Sequence, residues 1–212
     1  MASQSTLGKA AEVTGLQELA KVGLHEEQFV DILGKVIGES VHVQNNPPDL
    51  VPCEDKVISH LLKKLGPYMK ENGGPLEVEK VTYVAGRSNF IVKYPSQLEE
   101  TDKVLTFLGS HLDVVPANPE GWNFDPFSLS VDGDKLLGRG TTDCLGHVAL
   151  ITQLLSQLAE VKPKLNYDLW VVFIASEEAA AGGDGPKPGI ESLMDEGRLE
   201  PLKNGSVCYH LF

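Results

Sequence analysis

The sequence predicts an α/β fold, a three-layer sandwich around a mixed, mostly parallel sheet. Residues 104–108 and 169–175 are continuous apolar runs, which are typical of strands that are covered on both faces. Amphipathic helical segments alternate with the strands, and such alternation places helices on both faces of one sheet. The chain has 212 residues, which suits a single domain of ordinary or slightly larger size.

Two amphipathic helices come first, after a lead-in over residues 1–25 that we expect to be flexible. In residues 26–39 the apolar side chains recur at helical intervals, which indicates a helix with one buried face. These side chains are Phe29, Ile32, Leu33, Val36 and Ile37. A second helix is predicted over residues 54–71, and a Gly-Gly-Pro sequence at residues 73–75 ends it.

The middle of the chain is predicted to add strands, a hairpin and one more helix. The strands cover residues 76–84, 89–94, 127–131 and 135–137, and the helix covers residues 145–158. Asp132-Gly133-Asp134 lies between the last two strands and is a hairpin signal. The same three residues are too short for a calcium-binding loop. We therefore expect an antiparallel excursion near one edge of the sheet.

The charge balance indicates which partners are not expected, and the cysteines indicate the redox state of the compartment. There are 18 Lys and Arg residues against 30 Asp and Glu, which leaves a formal charge of −12. Proteins that bind nucleic acids or anionic membranes usually present basic residues, so neither partner is expected. Cys53, Cys144 and Cys208 are odd in number and widely spaced, which argues against a disulfide scaffold and for a reducing compartment. No signal or membrane span is evident, and the predicted location is the cytoplasm.

A first polar cluster, residues 109–113, follows the first continuous apolar strand. His111 and Asp113 are two residues apart, so in extended backbone both side chains leave on one face while Leu112 turns away. A metal-bound imidazole commonly needs a carboxylate on its other nitrogen, and Asp113 is placed to provide one. The structural alternative is a histidine at a strand end followed by an aspartate in a turn.

A second polar cluster, residues 138–146, precedes the helix predicted to begin at residue 145. Asp143 can be a site residue, because the glycines upstream allow close backbone approach, or a simple N-cap of the helix. His147 shares a helical face with Asp143, but we expect it to be structural. Cys144 lacks a convincing histidine partner and is predicted to be a buried free thiol.

The third polar cluster is Ser176-Glu177-Glu178, directly after the second continuous apolar strand. Adjacent carboxylates at the end of a buried strand repel each other, and no Lys or Arg stands beside them in the sequence. A cation would relieve this repulsion, with one carboxylate binding a metal while the other handles a proton. A solvated acidic loop is the alternative.

The three clusters together predict a metal centre. Ligands in open α/β sheets bind where strands end and helices begin, which is where all three clusters fall. A histidine with several carboxylates is the ligand set of a zinc or two-metal hydrolytic site. Such a site makes water more acidic, and a carboxylate beside it can transfer the proton to a leaving amine.

The motifs around these clusters resemble those of a known family. The stretch from Gly109 through Leu150, with SHLDVV, GWNFDPFSL and GDKLLGRGTTDCLGHVAL, followed by FIASEE, is similar to the zinc-dependent acetylornithine deacetylase/succinyl-diaminopimelate desuccinylase metallohydrolases. The plant-type members also share GESxxVQNNPPDLVP near the start and LKNG near the end. The resemblance spans residues 29–205, and it implies a zinc-peptidase-like catalytic domain.

The resemblance implies a role for each residue of the clusters. His111 would bind the first metal and Asp113 would orient it, while Asp143 would bridge two metals. Glu177 would be the general base, and Glu178 would bind the second metal. The implied cofactor is zinc, two ions per site, with cobalt as a substitute. The implied reaction is hydrolysis of N-acetyl-L-ornithine to ornithine and acetate in arginine biosynthesis, by a homodimer.

The sequence departs from the family pattern after residue 205. Family members are longer: they carry a lid domain that dimerises, a later acidic ligand of the first metal and a distant histidine ligand of the second. No acidic residue follows Glu200 here. Residues 26–212 are therefore expected to be the N-terminal portion of the catalytic domain, truncated before the lid and dimerisation domain, with weaker metal affinity.

Two other functions remain open at this point. One is a catalytically inactive isoform that binds a partner through its unfinished sheet edge. The other is the same chemistry on another small-molecule substrate, a different N-acyl amino acid or a dipeptide. The substrate-reading residues of the family lie largely in the lid and the returning segment, so residues 26–212 do not distinguish these substrates.

Overall fold

A five-stranded sheet organises the described part of the chain, which in this computed structural model is residues 23–97, 103–179 and 187–209. Its strands are β1 (Glu77–Val84), β2 (Arg87–Tyr94), β3 (Val104–His111), β6 (Asp168–Ile174) and β7 (Ser206–Tyr209), and β4 (Ser130–Asp132) and β5 (Lys135–Leu137) form a separate hairpin. All but the last few residues of the predicted flexible lead-in lie outside the described residues.

The sheet is mixed, as predicted, with the strand order β1-β2-β6-β3-β7. β1, β2 and β6 pair antiparallel in turn, whereas β3 lies parallel to both β6 and β7. In the β3–β6 register His111 pairs with Ile174. The polar segments that follow these two strands therefore start side by side at one edge of the sheet.

Helices cover both faces of the sheet, which confirms the three-layer prediction. The helices are α1 (Glu26–Gly38), α2 (Asp55–Leu65), α3 (Leu145–Val161) and α4 (Ile190–Asp195). The first three pack with Phe90, Val171 and Phe173 in the larger apolar core. On the other face Leu193 of α4 packs with Ile91 and Val172 in a smaller core. Within the described residues, no helix is both long and apolar enough to cross a bilayer.

The second helix is shorter than the sequence predicts. α2 ends at Leu65, and two short 3₁₀ helices, Gly66–Tyr68 and Lys70–Asn72, follow it. The reason is Pro67, which lacks a backbone N–H and clashes with the preceding turn, so an α-helix cannot continue through it. The two 3₁₀ helices are separate turns, because Met69 between them has an extended backbone.

The strand that carries the first polar cluster is longer than predicted. β3 continues past residue 108 through Gly109 to His111, and its register with β6 shifts between Leu108 and Ser110. Gly109 has a φ of 106°, a conformation that side chains rarely adopt. This irregularity lets His111 remain within the sheet at its edge.

The predicted hairpin forms around residues 132–135, but it is not an edge of the main sheet. Asp132 pairs with Lys135, which leaves Gly133 and Asp134 as the turn. β4 and β5 pair only with each other, and Leu136 packs against the larger core. The antiparallel edge of the main sheet is made by β1 and β2.

Candidate metal centre

His111 is fixed at the end of β3 with one ring nitrogen already engaged. The side chain is fully buried, and its Nδ1 lies 2.9 Å from the backbone carbonyl of Asp113. A carbonyl only accepts, so Nδ1 carries the proton and Nε2 is the atom available to a metal. Leu112, which lies between His111 and Asp113 in the sequence, is buried in the apolar core, as the predicted alternation requires.

Asp113 holds the ring differently from the prediction. Its carboxylate Oδ1 lies 3.5 Å from Nδ1 of His111, farther than its backbone carbonyl oxygen. The carboxylate accepts instead from the backbone N–H groups of Glu177 and Glu178, at 3.1 and 3.0 Å. Asp113 thus links the end of β3 to the turn that carries both glutamates.

Asp143 faces the other nitrogen of the imidazole. Its Oδ1 lies 2.8 Å from Nε2 of His111. The alternative interpretation as an N-cap does not hold, because α3 is capped at Cys144 without a side-chain hydrogen bond. The Asp143 side chain is half exposed, with 55% of its surface accessible, so an ion and a substrate can reach it.

Glu177 and Glu178 complete the cluster from the turn after β6. Glu177 Oε2 lies 3.8 Å from His111 Nε2. One potential ligand atom from each of His111, Glu177 and Glu178 lie within 4.8 Å of one another. A second set that meets the same criterion contains His111, Asp143 and Cys144. The imidazole is common to both sets, so the residues predicted from three separate segments converge on it.

The electrostatics of the cluster favour a cation among its carboxylates. Among the ion pairs of the described residues, none joins a Lys or Arg to Asp143, Glu177 or Glu178. Burial raises the pKa of Glu178, and the nearby carboxylates raise it further. A cation between these groups would oppose both effects, because it favours the charged form of each carboxylate.

Burial, hydrogen bonds and nearby charges also shift the pKa values of His111 and Asp113. Burial lowers the pKa of His111, but hydrogen bonds and charges from Asp113 and Asp143 outweigh it and raise the pKa to about 9. Burial raises the pKa of Asp113, and the imidazole, Asn45 and the Glu177 backbone N–H together reverse the sign and lower it. Both shifts show that the carboxylates around His111 favour a positive charge at the imidazole.

The donor set fits a divalent metal ion. One imidazole nitrogen and several carboxylate oxygens with no competing Lys or Arg are ligands that zinc binds in hydrolytic sites. The second nitrogen of the ring is held by a hydrogen bond, which is the arrangement found around metal-ligating histidines. The described residues therefore contain a candidate metal centre at the carboxyl ends of β3 and β6.

Cys144 has the properties of an inert thiol. Its side chain is fully buried and unpaired with other cysteines. Burial raises the pKa of the thiol to about 11. Its Sγ lies 3.7 Å from Nδ1 of His147, which places the predicted structural histidine against the thiol. The prediction of a buried free thiol is confirmed.

Several residues around the cluster were missed by the sequence analysis. Asn45, which lies in the GESxxVQNNPPDLVP motif and was given no role, is buried and donates to Asp113 Oδ2 at 2.7 Å and to the Ala179 carbonyl at 3.1 Å. Glu54 and Arg87 form a buried ion pair at 2.7 Å. Their partners are 33 or more residues away in sequence, so no local spacing signals these contacts.

Comparisons with known proteins find a matching family model and several similar sequences. Residues 107–207 match the model of Peptidase family M20/M25/M40. Acetylornithine deacetylase from Arabidopsis thaliana is 51% identical over 187 residues, which are 88% of this chain and 41% of that protein. Acetylornithine deacetylase from Dictyostelium discoideum is 47% identical over 197 residues, 90% of this chain and 43% of that protein. The chain thus spans about two fifths of the length of these relatives.

Solved structures agree on the fold. The crystal structure of human carnosine dipeptidase 1 superposes with a TM-score of 0.64 at 19% identity, covering 94% of this chain and 41% of that one. The di-peptidase Dug1p from Saccharomyces cerevisiae gives a TM-score of 0.61 at 20% identity, covering 92% of this chain and 40% of that one. At these identities the likeness concerns the fold alone.

The region that holds the polar cluster, residues 107–207, matches the model of Peptidase family M20/M25/M40, whose members are the class of protein that the cluster resembles. Within that class the chain is similar to acetylornithine deacetylases and corresponds to part of their length. The resemblance identified from the motifs is therefore confirmed.

Proposed function

We propose that this chain supplies the metal-binding part of an amide hydrolase that removes the acetyl group from N-acetyl-L-ornithine. The observation that supports it most directly is the clustering of four side chains from three segments around the imidazole of His111. They are His111 itself, Asp143, Glu177 and Glu178. Such a set has no structural task that ordinary packing would require, since three carboxylates without Lys or Arg repel one another.

Three of these side chains are the proposed metal ligands. His111 would hold the first metal through Nε2, Asp143 would be shared between two metals, and Glu178 would hold the second. The proposed ion is zinc, two per site, with cobalt as a substitute, because nitrogen and carboxylate oxygen ligands suit both. Zinc, when bound, polarises the scissile carbonyl and makes water more acidic.

Glu177 is the proposed general base. Its carboxylate lies near His111 Nε2 and is half exposed, with 45% of its side chain accessible, so water and substrate can contact it. It would accept a proton from the attacking water and deliver it to the amine nitrogen that leaves as ornithine. Asp113 is the proposed orienting residue, since its carbonyl fixes Nδ1–H of His111 and its carboxylate fixes the Glu177 backbone.

The choice of substrate rests on the relatives that carry the name acetylornithine deacetylase at 51% and 47% identity. Relatives with other names are more distant: a succinyl-diaminopimelate desuccinylase from Gluconobacter oxydans is 38% identical over 104 residues. An N-acetylated basic amino acid is therefore preferred to other N-acyl amino acids or dipeptides. Arginine biosynthesis, a cytoplasmic location and a homodimer are further parts of the proposal.

The proposal is tested by metal binding and by hydrolysis in the same preparation. Cobalt(II) titration of the chain should show saturable binding that His111→Ala abolishes. Release of ornithine from N-acetyl-L-ornithine should disappear with a chelator and with Glu177→Gln, which keeps the size of the side chain but cannot take up a proton. Hydrolysis that persists in Glu177→Gln, or cobalt binding that persists in His111→Ala, would contradict the assignment.

A further inference from the structure

The turn after β6 is held almost entirely by side chains from elsewhere in the chain. Four consecutive backbone N–H groups, those of residues 175–178, each donate to a side-chain oxygen. The acceptors are Asn89 for Ala175 at 3.0 Å, Glu54 for Ser176 at 3.2 Å, and Asp113 for Glu177 and Glu178 at 3.1 and 3.0 Å. The position of both glutamates thus depends on three acceptors outside the turn.

Ser176 is the residue of this turn that most needs such support. Its φ is 57°, a left-handed conformation that a non-glycine residue adopts at an energetic cost. Its N–H donates to Glu54 and its Oγ donates to the Ala179 carbonyl at 3.0 Å. If the acceptor on Glu54 were lost, the unfavourable conformation would lose one of its two restraints and Glu177 would move with it.

Glu54 can serve as this acceptor only because Arg87 compensates its charge. Glu54 is fully buried, and the guanidinium contacts both of its oxygens, with Nε at 3.3 and 3.1 Å and a terminal nitrogen at 2.7 Å. A buried carboxylate without a cation would take up a proton or attract water. The ion pair joins the start of α2 to β2 and keeps a charged acceptor facing the turn.

We propose that Glu54 is a positioning residue for the metal centre: with Arg87 it holds the Ser176 backbone so that Glu177 and Glu178 face His111. This inference rests on the proposed metal-binding function. Glu54 itself is not counted among the metal ligands, and it acts through the backbone of the turn. The consequence is that metal affinity depends on an oxygen at position 54 and not on the charge there.

Two double variants separate positioning from general stability. Glu54→Gln with Arg87→Met removes both charges but keeps an oxygen that can accept from Ser176 N–H. Glu54→Leu with Arg87→Met removes both charges and the acceptor. The Gln variant buries an amide N–H₂ donor at a position whose present partners, the Arg87 guanidinium and the Ser176 N–H, are themselves donors, so it is expected to be the less stable of the two. If stability alone mattered, the Leu variant would bind metal at least as well.

The measurements are cobalt(II) titration followed by its visible absorption, and amide hydrogen exchange of the metal-free chain by NMR. The Leu variant is expected to bind cobalt(II) at least tenfold more weakly than the Gln variant and to exchange the amides of residues 176–178 at least tenfold faster. A pair of substitutions at the neighbouring ion pair, Asp55→Asn with Lys80→Met, serves as the control and should change neither quantity. Arg87→Lys keeps the charge but replaces the two contacting nitrogens of the guanidinium with one, so the amides of residues 176–178 should exchange faster than in the unmodified chain and more slowly than in the Leu variant. Its comparison with the unmodified chain covers the case in which the Leu variant does not fold.

Each outcome decides one of the two proposals. Equal cobalt affinity and equal exchange in the Gln and Leu variants would overturn the positioning role of Glu54. An equally large change in the control pair would overturn it as well, because the effect would then belong to α2 as a whole. If the unmodified chain bound no cobalt(II), the proposed metal-binding function would fail, while the exchange rates would still decide how the turn is held.

Discussion

Arg87→Met should destabilise the protein far more than a matching substitution at the neighbouring ion pair. Glu54 and Asp55 are adjacent, and each pairs with a cation of the β1–β2 ribbon, at 2.7 Å in both cases. The Glu54–Arg87 side chains are 0% and 6% exposed, whereas the Asp55–Lys80 side chains are 27% and 39% exposed. The two pairs therefore have the same shortest distance but differ in burial and in the number of contacts, since Arg87 makes three contacts to Glu54 and Lys80 makes one to Asp55.

The expected magnitudes follow from that difference. Removing one partner of a buried ion pair leaves an uncompensated charge and costs about 3–5 kcal/mol. A surface pair is worth less than about 1 kcal/mol, because water screens it and the long side chains lose entropy. Since domains of this kind are stable by about 5–15 kcal/mol, Arg87→Met should remove a large part of the total, and Lys80→Met very little.

Urea unfolding followed by far-UV circular dichroism measures both variants. Burial raises the pKa of Glu54 even beside Arg87, and losing the guanidinium removes an influence that lowers it. Stability contributed by a carboxyl with a raised pKa is lost as the pH rises through that pKa, so the deficit of Arg87→Met should shrink at acidic pH relative to neutral pH. Equal losses in Arg87→Met and Lys80→Met, or a deficit that grows on acidification, would refute this reasoning.

Three further predictions concern a thiol, a glycine and the metal. Iodoacetamide should label Cys53, which is partly exposed, well before the fully buried Cys144, as read by peptide mass mapping; equal rates would contradict the packing around α3. Gly109→Ala should lower the free energy of unfolding by about 1 kcal/mol or more, because the φ of 106° strains any side chain; an unchanged urea midpoint would show that β3 lacks this irregularity. Zinc at a hundred times its dissociation constant should stabilise the chain by about 2.7 kcal/mol, and a chelator should reverse the rise in melting temperature; His111→Ala should show no rise.

The sequence predicted where the site residues come together, because their positions depend on where the buried strands end. Two continuous apolar runs predicted buried strands, and parallel pairing of β3 with β6 brings His111 beside Ile174. Residues just past such ends share one edge of the sheet. Period-two alternation also gave the direction of His111 correctly, since Leu112 is buried in the core.

The residues that support the site could not be predicted in this way. Asn45 contacts Asp113 across 68 positions, and Glu54 contacts Ser176 across 122. Neither contact leaves a periodic or spacing signal, because each depends on how helices and loops pack after the sheet has formed. The dual use of Asp113, carbonyl to the ring and carboxylate to the turn, likewise appears only in three dimensions.

The boundaries that differed have local causes. α2 stops at Leu65 where the prediction continued to residue 71, since the apolar pattern was given more weight than Pro67. β3 runs on to His111 because Gly109 absorbs an irregularity that would end an ordinary strand. Pro67 and Gly109 are both visible in the sequence. The predicted ends followed the apolar patterns of the helix and the strand instead.

The most direct test of the central claim is zinc K-edge X-ray absorption of the zinc-loaded chain, compared with His111→Ala. We expect a first shell of oxygen and nitrogen neighbours at about 2.0–2.2 Å. We also expect outer-shell scattering from an imidazole, and this scattering should be lost in His111→Ala. A first shell dominated by sulfur at about 2.3 Å, or an imidazole signature unchanged by His111→Ala, would show that the metal is bound elsewhere.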